Sequence, residues 1–187
     1  MIRYMSSQPN ITLNDENTLT AIVSLGSNLA SDVGNPLEVI RLAAIELGFL
    51  SSQPPLLSTL YFADPVDCSS GTPVFINAVE VIYPEPKSTP LQLLQQLQQI
   101  EVAFGRNRGR TVNEPRSLDL DLICFGNRQI NEPGLKLPHP EAYRRRFVLQ
   151  PIADLAPSLV LPGQTVTVQE LLATLPPEPA VVPIFTA

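Results

Sequence analysis

Two helix starts constrain the fold of this chain more than any other feature. Asn35 and Thr89 are each followed by a proline and, three residues after the cap, by Glu38 or Gln92. This pattern combines an N-cap, a proline in the first helical position and a capping box, in which two side chains satisfy the free backbone N–H groups. A periodic apolar stripe follows each start, so the sequence predicts two well-delimited amphipathic helices.

Four apolar runs with strand-like patterns surround these helices: one before the first, two between them and one after the second. The order is therefore β-α-β-β-α-β, which is typical of the ferredoxin-like fold. We predict an α+β protein with one mostly antiparallel sheet, two helices on one face, and the other face free for a ligand. Short extra C-terminal helices are expected near 144–154 and 168–175. The predicted strands are 19–28, 56–64, 74–83 and 118–124.

A chain of 187 residues, 44% of them hydrophobic and 16% charged, is long enough for one domain with its own core. We predict a flexible arm over 1–18, the domain over 19–165, and an extension over 166–187 whose proline-rich tail either wraps around the domain or is loose. No signal peptide or run of about 18 apolar residues is visible. Cys68 and Cys124 form no C-x-x-C pair, so a cytoplasmic protein with free thiols is expected, Cys124 lying in the core.

The positive charges of this acidic chain are clustered. Net charge is −6, which provides no basic field for nucleic acid or an anionic membrane, yet seven of the twelve Lys and Arg residues fall in 106–116 and 144–146. The planar fork of arginine suits bidentate phosphate recognition, so the clusters indicate a compact polyanion. A solvated basic loop explains them equally well. No G-x-x-x-x-G-K-[ST] motif occurs, which excludes a P-loop.

The segment "PRSLDLDLI" (115–123) carries two carboxylates on one face of a strand. Alternation at period two places Asp119 and Asp121 roughly 7 Å apart, with leucines on the other face. Three interpretations are open: a solvated strand face, salt bridges to neighbouring arginines, or a Mg²⁺ site that leaves positions for phosphate and water. The arginine-rich loop over 105–116 favours the third, because a triphosphate needs both metal ions and arginines.

Aromatic and amide side chains accompany these charges. Phe75 and Asn77 share one face of the third strand, and Phe147 follows the second arginine cluster. Two rings and an amide can hold a flat heterocycle by stacking and edge pairing. The alternatives stay open, because a strand phenylalanine is more often a core residue, and His139 in "LPHP" is more often a turn residue than a catalyst.

Two other functional classes share part of this pattern. A ferredoxin-like RNA-binding module expects a basic sheet face, against which the paired acids argue. A glycosyltransferase with an Asp-x-Asp motif expects a larger, doubly wound domain than 187 residues offer. Mg²⁺-dependent ATP binding, without RNA or sugar-nucleotide binding, discriminates between the three.

Seven stretches of the chain resemble, in the same order, the 6-hydroxymethyl-7,8-dihydropterin pyrophosphokinase family of folate biosynthesis. The combination of "GRNR", "PRSLDLDL", "PHP" and "RRFVLQP" is highly specific. The matching stretches are "SLGSNLA" (24–30), "STLYFADPV" (58–66), "PVFINAVEV" (73–81), "LLQQLQQIEVAFGRNR" (93–108), "PRSLDLDLICFG" (115–126), "LPHPEAYRRRFVLQPI" (137–152) and "LAPSLVLPG" (155–163).

The resemblance implies transfer of pyrophosphate from ATP to the pterin hydroxymethyl group, with AMP and the pterin diphosphate as products. We also expect a monomer that binds neither nucleic acid nor membrane. Two Mg²⁺ ions would be held by Asp119 and Asp121, and Asp121 is also a candidate for taking the hydroxyl proton. Arg106 and Arg116 would act on the transferred group. Nucleotide contacts are implied for Gln98, Glu101, Arg108, Arg110, Leu122, His139 and Arg145. The pterin site is implied at Gly26, Ala63, Asp64, Val66, Phe75, Asn77 and Phe147.

Two departures from the family pattern fall on the implied site. Val112 and Asn113 stand where the family commonly has Arg-Trp, and the chain has no Trp. Ala63 stands where the family usually has Thr. We expect the loop over 105–117 to close over bound ATP as a looser lid than usual, and one wall of the pterin pocket to be weaker. The result would be a slower or weaker enzyme with the same reaction.

Overall fold

The computed structural model describes residues 11–13, 18–66, 71–106 and 115–185. The predicted β-α-β-β-α-β order is confirmed, and further elements follow it. The elements are β1 (Ala21–Ser27), α1 (Pro36–Gly48), β2 (Leu56–Leu57), β3 (Tyr61–Ala63), β4 (Phe75–Ile82), α2 (Pro90–Ala103), β5 (Asp119–Phe125), β6 (Ile130–Glu132), β7 (Leu135–Leu137), a 3₁₀ turn (Ala142–Arg144), α3 (Arg146–Leu155), α4 (Val168–Thr174) and β8 (Val181–Pro183).

The main sheet has the strand order β5-β1-β4-β3-β8, with β2 also paired to β4, and all of these pairs are antiparallel. The first four strands of this order form the ferredoxin-like arrangement. Alternate residues of β1, namely Ala21, Val23 and Leu25, are fully buried against the apolar sides of α1 and α2. One face of the sheet therefore carries a continuous apolar core, as predicted.

Both predicted helix caps are present. Asn35 Oδ1 accepts the N–H groups of Leu37 and Glu38 at 3.0 and 3.1 Å, and Glu38 Oε2 accepts the N–H of Asn35 at 2.9 Å. Thr89 and Gln92 make the corresponding exchange at the start of α2. These contacts satisfy N–H groups that have no partner within the helix, so local sequence alone accounts for both helix starts.

The prediction of one continuous strand over 56–64 is wrong, because the structure divides it into β2 and β3. Both pieces pair with β4, but their registers differ by one residue. Ser58 lies at the break: its N–H donates to Val79 O at 2.9 Å, and its Oγ accepts the Val79 N–H at 2.9 Å. The hydroxyl replaces a backbone carbonyl in the ladder, which allows an extra residue to bulge out.

The second face of the sheet is covered over part of its area by α3 and α4, near the positions predicted for two short helices. The expectation of a face free for a ligand therefore holds at one end only. A bulge in the pairing of β5 with β1 places the neighbours Ile123 and Cys124 in this same second core, with Cys124 buried as predicted. Its other members include Ile22, Val79 and Val81 from the sheet, and Val148, Leu149, Ile152 and Leu172 from the helices.

Described residues near both ends of the sequence take part in the packing. The prediction of a loose N-terminal arm is wrong for Ile11 and Leu13, which are 7% and 8% exposed and belong to the second core. At the other end, the wrapping alternative is correct, because β8 pairs with β3. The small β6–β7 hairpin is not predicted from the sequence. No helix in the described part of the chain is long and apolar enough to cross a membrane.

Candidate active site

The open end of the second face is a cleft bounded by β1, β4 and β5, by the end of β3 and by the start of α3. It is open to solvent. Every lining residue except Ser24 is a predicted site residue. The lining residues are Ser24, Gly26, Ala63, Asp64, Val66, Phe75, Asn77, Arg116, Asp119, Asp121, Arg145 and Phe147.

Gly26 lies on the cleft floor, opposite Asn77 on β4 and Asp119 on β5. A Cβ atom at this position would lie 3.3 Å from Asn77 Oδ1 and 3.8 Å from Asp119 Cβ. A larger residue would therefore press on the amide. The glycine keeps the floor open and allows a ligand to approach the backbone of β1.

Two arginines neutralise Asp119. Arg106 Nη1 donates to Asp119 Oδ1 at 2.6 Å, and Arg116 Nη1 lies 3.2 Å from Asp119 Oδ2. Arg106 also contacts Glu101, a carboxylate that is 1% exposed and accepts the N–H of Leu120 at 2.8 Å. The salt-bridge interpretation of Asp119 is thus confirmed. The charges alternate from Glu101 through Arg106 and Asp119 to Arg116. Arg116 lines the cleft, and Arg106 lies beside it in contact with Asp119.

Asp121 is less well neutralised than Asp119. Its side chain is 35% exposed, and Asp121 Oδ2 lies 3.9 Å from Arg145 Nη1. Burial and the negative charge of Asp119 raise the pKa of Asp121, whereas His139, Arg145 and Arg116 act to lower it. A carboxylate whose ionised form is disfavoured gains from an added cation.

The two aspartates supply only part of the coordination of a divalent cation. In the described part of the chain, no group of three or more His, Cys, Asp or Glu side chains is arranged to hold a metal ion. Asp119 and Asp121 supply hard oxygen donors from one strand face, and substrate phosphates with water would have to complete the coordination. Mg²⁺ commonly binds through one or two carboxylates in this way, so the donor set fits this ion.

The other end of the cleft combines rings with an unsatisfied amide. Arg116 Cζ lies 5.9 Å from the ring centroid of Phe75, and Arg145 Cζ lies 5.7 Å from that of Phe147. Asn77 is 4% exposed, and its Nδ2 has no hydrogen-bond partner among the described residues. A buried donor without an acceptor is costly, so this amide indicates an acceptor on a ligand.

Asn28, which is not among the predicted site residues, connects the end of β1 with Arg116 and with Pro73 before β4. Its Oδ1 accepts the N–H of Arg116 at 2.8 Å, and its Nδ2 donates to Pro73 O at 3.2 Å. Its own N–H donates to Arg116 O at 3.2 Å. Asn28 thereby fixes the backbone of Arg116 relative to β1 and the entry to β4. The turn signal Gly-Ser-Asn, which spans the end of β1, is the available indication in the sequence.

The sequence model of the family described as 7,8-dihydro-6-hydroxymethylpterin-pyrophosphokinase (HPPK) matches residues 22–157. This chain belongs to the HPPK family. A 2-amino-4-hydroxy-6-hydroxymethyldihydropteridine pyrophosphokinase from Pseudomonas aeruginosa is 41% identical over 155 residues, which cover 82% of this chain and 90% of the relative. The protein of that name from Haemophilus influenzae is 34% identical over 148 residues, which cover 79% and 88%.

Solved HPPK structures share the fold. A crystal structure of Plasmodium falciparum HPPK-DHPS, determined with pterin and p-hydroxybenzoate, matches this chain with a TM-score of 0.62 at 16% identity. The match covers 86% of this chain and 44% of that chain. At this identity the likeness bears on the fold alone, and it confirms the ferredoxin-like prediction.

Several residues that the HPPK resemblance implies lie beside the cleft rather than in its lining. Glu101 and Arg106 reach it through Asp119, as described above. His139 lies close enough to Asp121 to lower the pKa of that carboxyl, and its backbone N–H donates to Ile123 O at 2.8 Å. Ser24, a lining residue that the resemblance does not supply, pairs with Asp121 across β1 and β5, so strand alternation indicates it.

Two of the implied HPPK residues in the described part of the chain, Gln98 and Leu122, do not line the cleft. Gln98 is half-buried on α2 and is not a lining residue. Leu122 packs in the core between the sheet and the first two helices, so a nucleotide contact through its side chain is wrong, as the alternation with Asp121 requires. Arg108, Arg110, Val112 and Asn113 lie outside the described residues.

Proposed function

We propose that this protein transfers pyrophosphate from ATP to the hydroxymethyl group of 6-hydroxymethyl-7,8-dihydropterin in folate biosynthesis, in a Mg²⁺-dependent reaction. AMP and the pterin diphosphate are the products. One observation carries the proposal: a single cleft is lined by an aspartate pair, two arginines, two phenylalanines and a buried amide whose nitrogen has no partner among the described residues. Phosphate recognition and heterocycle recognition thus meet in one place.

The pterin would bind where Phe75 of β4 and Phe147 of α3 line the cleft. Stacking on these rings recovers dispersion and electrostatic attraction from a flat heterocycle. Asn77 Nδ2 would donate to an acceptor on the pterin edge and so gain the partner that it otherwise lacks. The backbone at Gly26 and the β3 end at Ala63 would form the floor and a wall.

The phosphates would bind at the charged end. Asp119 and Asp121 would hold two Mg²⁺ ions, which, when bound, neutralise phosphate charge and favour ionisation of the attacking hydroxyl. Arg106 and Arg116 would exchange their contacts with Asp119 for phosphate oxygens, since one carboxylate cannot satisfy metal ions and two guanidinium groups together. The buried Glu101 retains its contact with Arg106 and keeps this side chain aimed at the cleft.

For this reaction the protein must position the two substrates and neutralise the phosphate charge. The pterin hydroxyl attacks the β-phosphorus of ATP in line, and AMP leaves from the opposite side, with no covalent intermediate on the protein. Gln98, His139, Arg145 and the loop residues Arg108 and Arg110 complete the proposed nucleotide contacts. A cytoplasmic monomer remains part of the same proposal.

The nucleotide product tests the proposal. The protein is incubated with ATP, Mg²⁺ and 6-hydroxymethyl-7,8-dihydropterin, and products are separated by chromatography. AMP and diphosphorylated pterin in equal amounts are expected, with none formed in EDTA or without the pterin. ADP as the product would mean a simple phosphotransferase, and the absence of pterin-dependent turnover would contradict the function.

A further inference from the structure

We infer that residues 175–184, here called the C-terminal strap, and their anchor Arg146 hold the two walls of the cleft at the separation that the pterin requires. Arg146 is then a positioning residue. The inference rests on the proposed function for the identity of the ligand. Neither the strap nor Arg146 belongs to the implied binding site.

Arg146 fixes the first end of the strap. Its Nε donates to Pro176 O at 2.9 Å, and its Nη2 donates to Leu175 O at 2.8 Å and to Leu172 O at 3.3 Å. The Leu172 and Leu175 carbonyls lie at the end of α4, where the last carbonyl groups lack regular helical partners, although Leu172 O also accepts the N–H of Leu175 at 3.3 Å. One guanidinium therefore joins the start of α3 to the end of α4 and to the strap.

The second end of the strap is paired with β3. Val181 lies opposite Ala63, Val182 opposite Phe62, and the N–H of Ile184 donates to Leu60 O at 2.8 Å. Hydrogen-bonded pairs alternate along an antiparallel ladder, so the bond at Ile184 assigns the next hydrogen-bonded position to Val182. Pro183 falls on the position between, where no N–H is needed.

The strap links the two walls because each anchor is next to a lining residue. Arg146 directly precedes Phe147 on α3, and Val181 is paired with Ala63 on β3; both Phe147 and Ala63 line the cleft. Between the anchors the sequence is "PPEPA" (176–180), whose three prolines each fix the φ angle of their residue and so remove backbone freedom from the segment. A stiff connection with two fixed ends sets the distance between the walls.

The test compares Arg146→Ala with Arg146→Lys and with Arg144→Ala, a neighbouring exposed arginine. We measure the Kd for 6-hydroxymethyl-7,8-dihydropterin with Mg²⁺ and α,β-methylene-ATP present, and the Kd for the analogue alone. Arg146→Ala is expected to raise the pterin Kd about fivefold, because the walls must be ordered on binding, and to change the analogue Kd less than about twofold. Lysine, which can donate to the same carbonyls, should restore most of the affinity.

A second pair of variants tests the pairing of the strap with β3. These variants also decide whether the strap positions the cleft walls if Arg146→Ala fails to fold. Val182→Pro removes the ladder N–H, whereas Val182→Ala keeps it and shortens a side chain that is 53% exposed. The proline variant should raise the pterin Kd as Arg146→Ala does, and the alanine variant should not. Unchanged pterin Kd in Arg146→Ala or, failing its folding, in Val182→Pro would overturn the role of the strap. Failure of the wild-type protein to form AMP would instead overturn the proposed function.

Discussion

Acidic side chains occupy two contrasting places on the same sheet. Glu80 of β4 lies on the face covered by α1, is 2% exposed, and has no partner for its Oε2 among the described residues. Asp119 and Asp121 of β5 lie at the open end of the other face, where three arginines approach within 3.9 Å. Glu80 is thus buried in the apolar core, whereas Asp119 and Asp121 belong to a cluster of charged side chains.

The difference shows that burial and partners, rather than the residue type, decide what a carboxylate can do. Burial raises the pKa of Glu80 to about 8, so this group is largely neutral at neutral pH and contributes no charge. The pair on β5 stays accessible and is balanced by guanidinium groups that phosphate can also attract. Variants at the β5 site and at Glu80 can therefore test the two environments separately.

The largest effect is expected from the open end. Asp121→Ala should lower kcat/KM by about a thousandfold or more, because it removes half of the proposed metal-binding pair. The fold should survive, since the variant removes a carboxylate whose pKa is raised by burial and by Asp119. Glu132→Ala, which removes an exposed acid on β6, is the control for steady-state assays and circular dichroism. A near-wild-type rate in Asp121→Ala would contradict the metal assignment.

The arginines of the open end should affect chemistry more than binding. Arg106→Ala or Arg116→Ala is expected to lower kcat about a hundredfold while the ATP Kd changes less than about fivefold, because their contacts strengthen as charge moves in the transition state. Single-turnover rates and equilibrium binding separate the two quantities, with the exposed Arg41→Ala on α1 as control. A raised KM with unchanged kcat would assign both arginines to ground-state ATP binding instead.

The isolated acid should make stability depend on pH. The pKa of Glu80 is raised from 4.5 to about 8, so the folded state keeps a proton that the unfolded chain releases above about pH 4.5. Its contribution to stability is therefore full below that pH and is lost as pH rises to about 8. Glu80→Gln should gain on the order of 2–4 kcal/mol over wild type at pH 8 and little at pH 4.5. Urea unfolding at pH 4.5 and pH 8 measures the free energy of unfolding of the variant and of wild type. The same difference between the two proteins at both pH values would contradict the prediction. Glu132→Gln, at an exposed position, is the control.

The smallest effect concerns the boundary between the cleft and the second core. Phe147 lines the cleft and also packs, half-buried, against that core. Phe147→Ala should weaken pterin binding by roughly 0.5–3 kcal/mol with ATP affinity largely kept. The control is Phe49→Ala, since Phe49 is 78% exposed beyond α1. If the thermal midpoint falls while pterin affinity stays the same, Phe147 is a core residue and the stacking assignment is wrong.

Local features of this protein can be predicted from its amino-acid sequence. Capping at Asn35 and Thr89 involves groups within three residues of each other, so both helix starts are readable. Strand alternation places Asp119 and Asp121 on one face for the same reason, and it places Phe75 with Asn77. The element order that follows from these signals was sufficient for the ferredoxin-like fold, and the family motifs supplied most of the cleft lining.

The covered parts of the sheet and the partners of the polar groups depend instead on long-range packing. The split at Ser58, the pairing of Val182 with Phe62 and the network around Asn28 all join residues that are distant in the chain. In the sequence, nothing distinguishes Glu80 from a solvent-exposed acid on a strand. The packing of α1 on its face of the sheet is what buries it. Such contacts depend on how whole elements pack, whereas periodicity and capping record only neighbours along the chain.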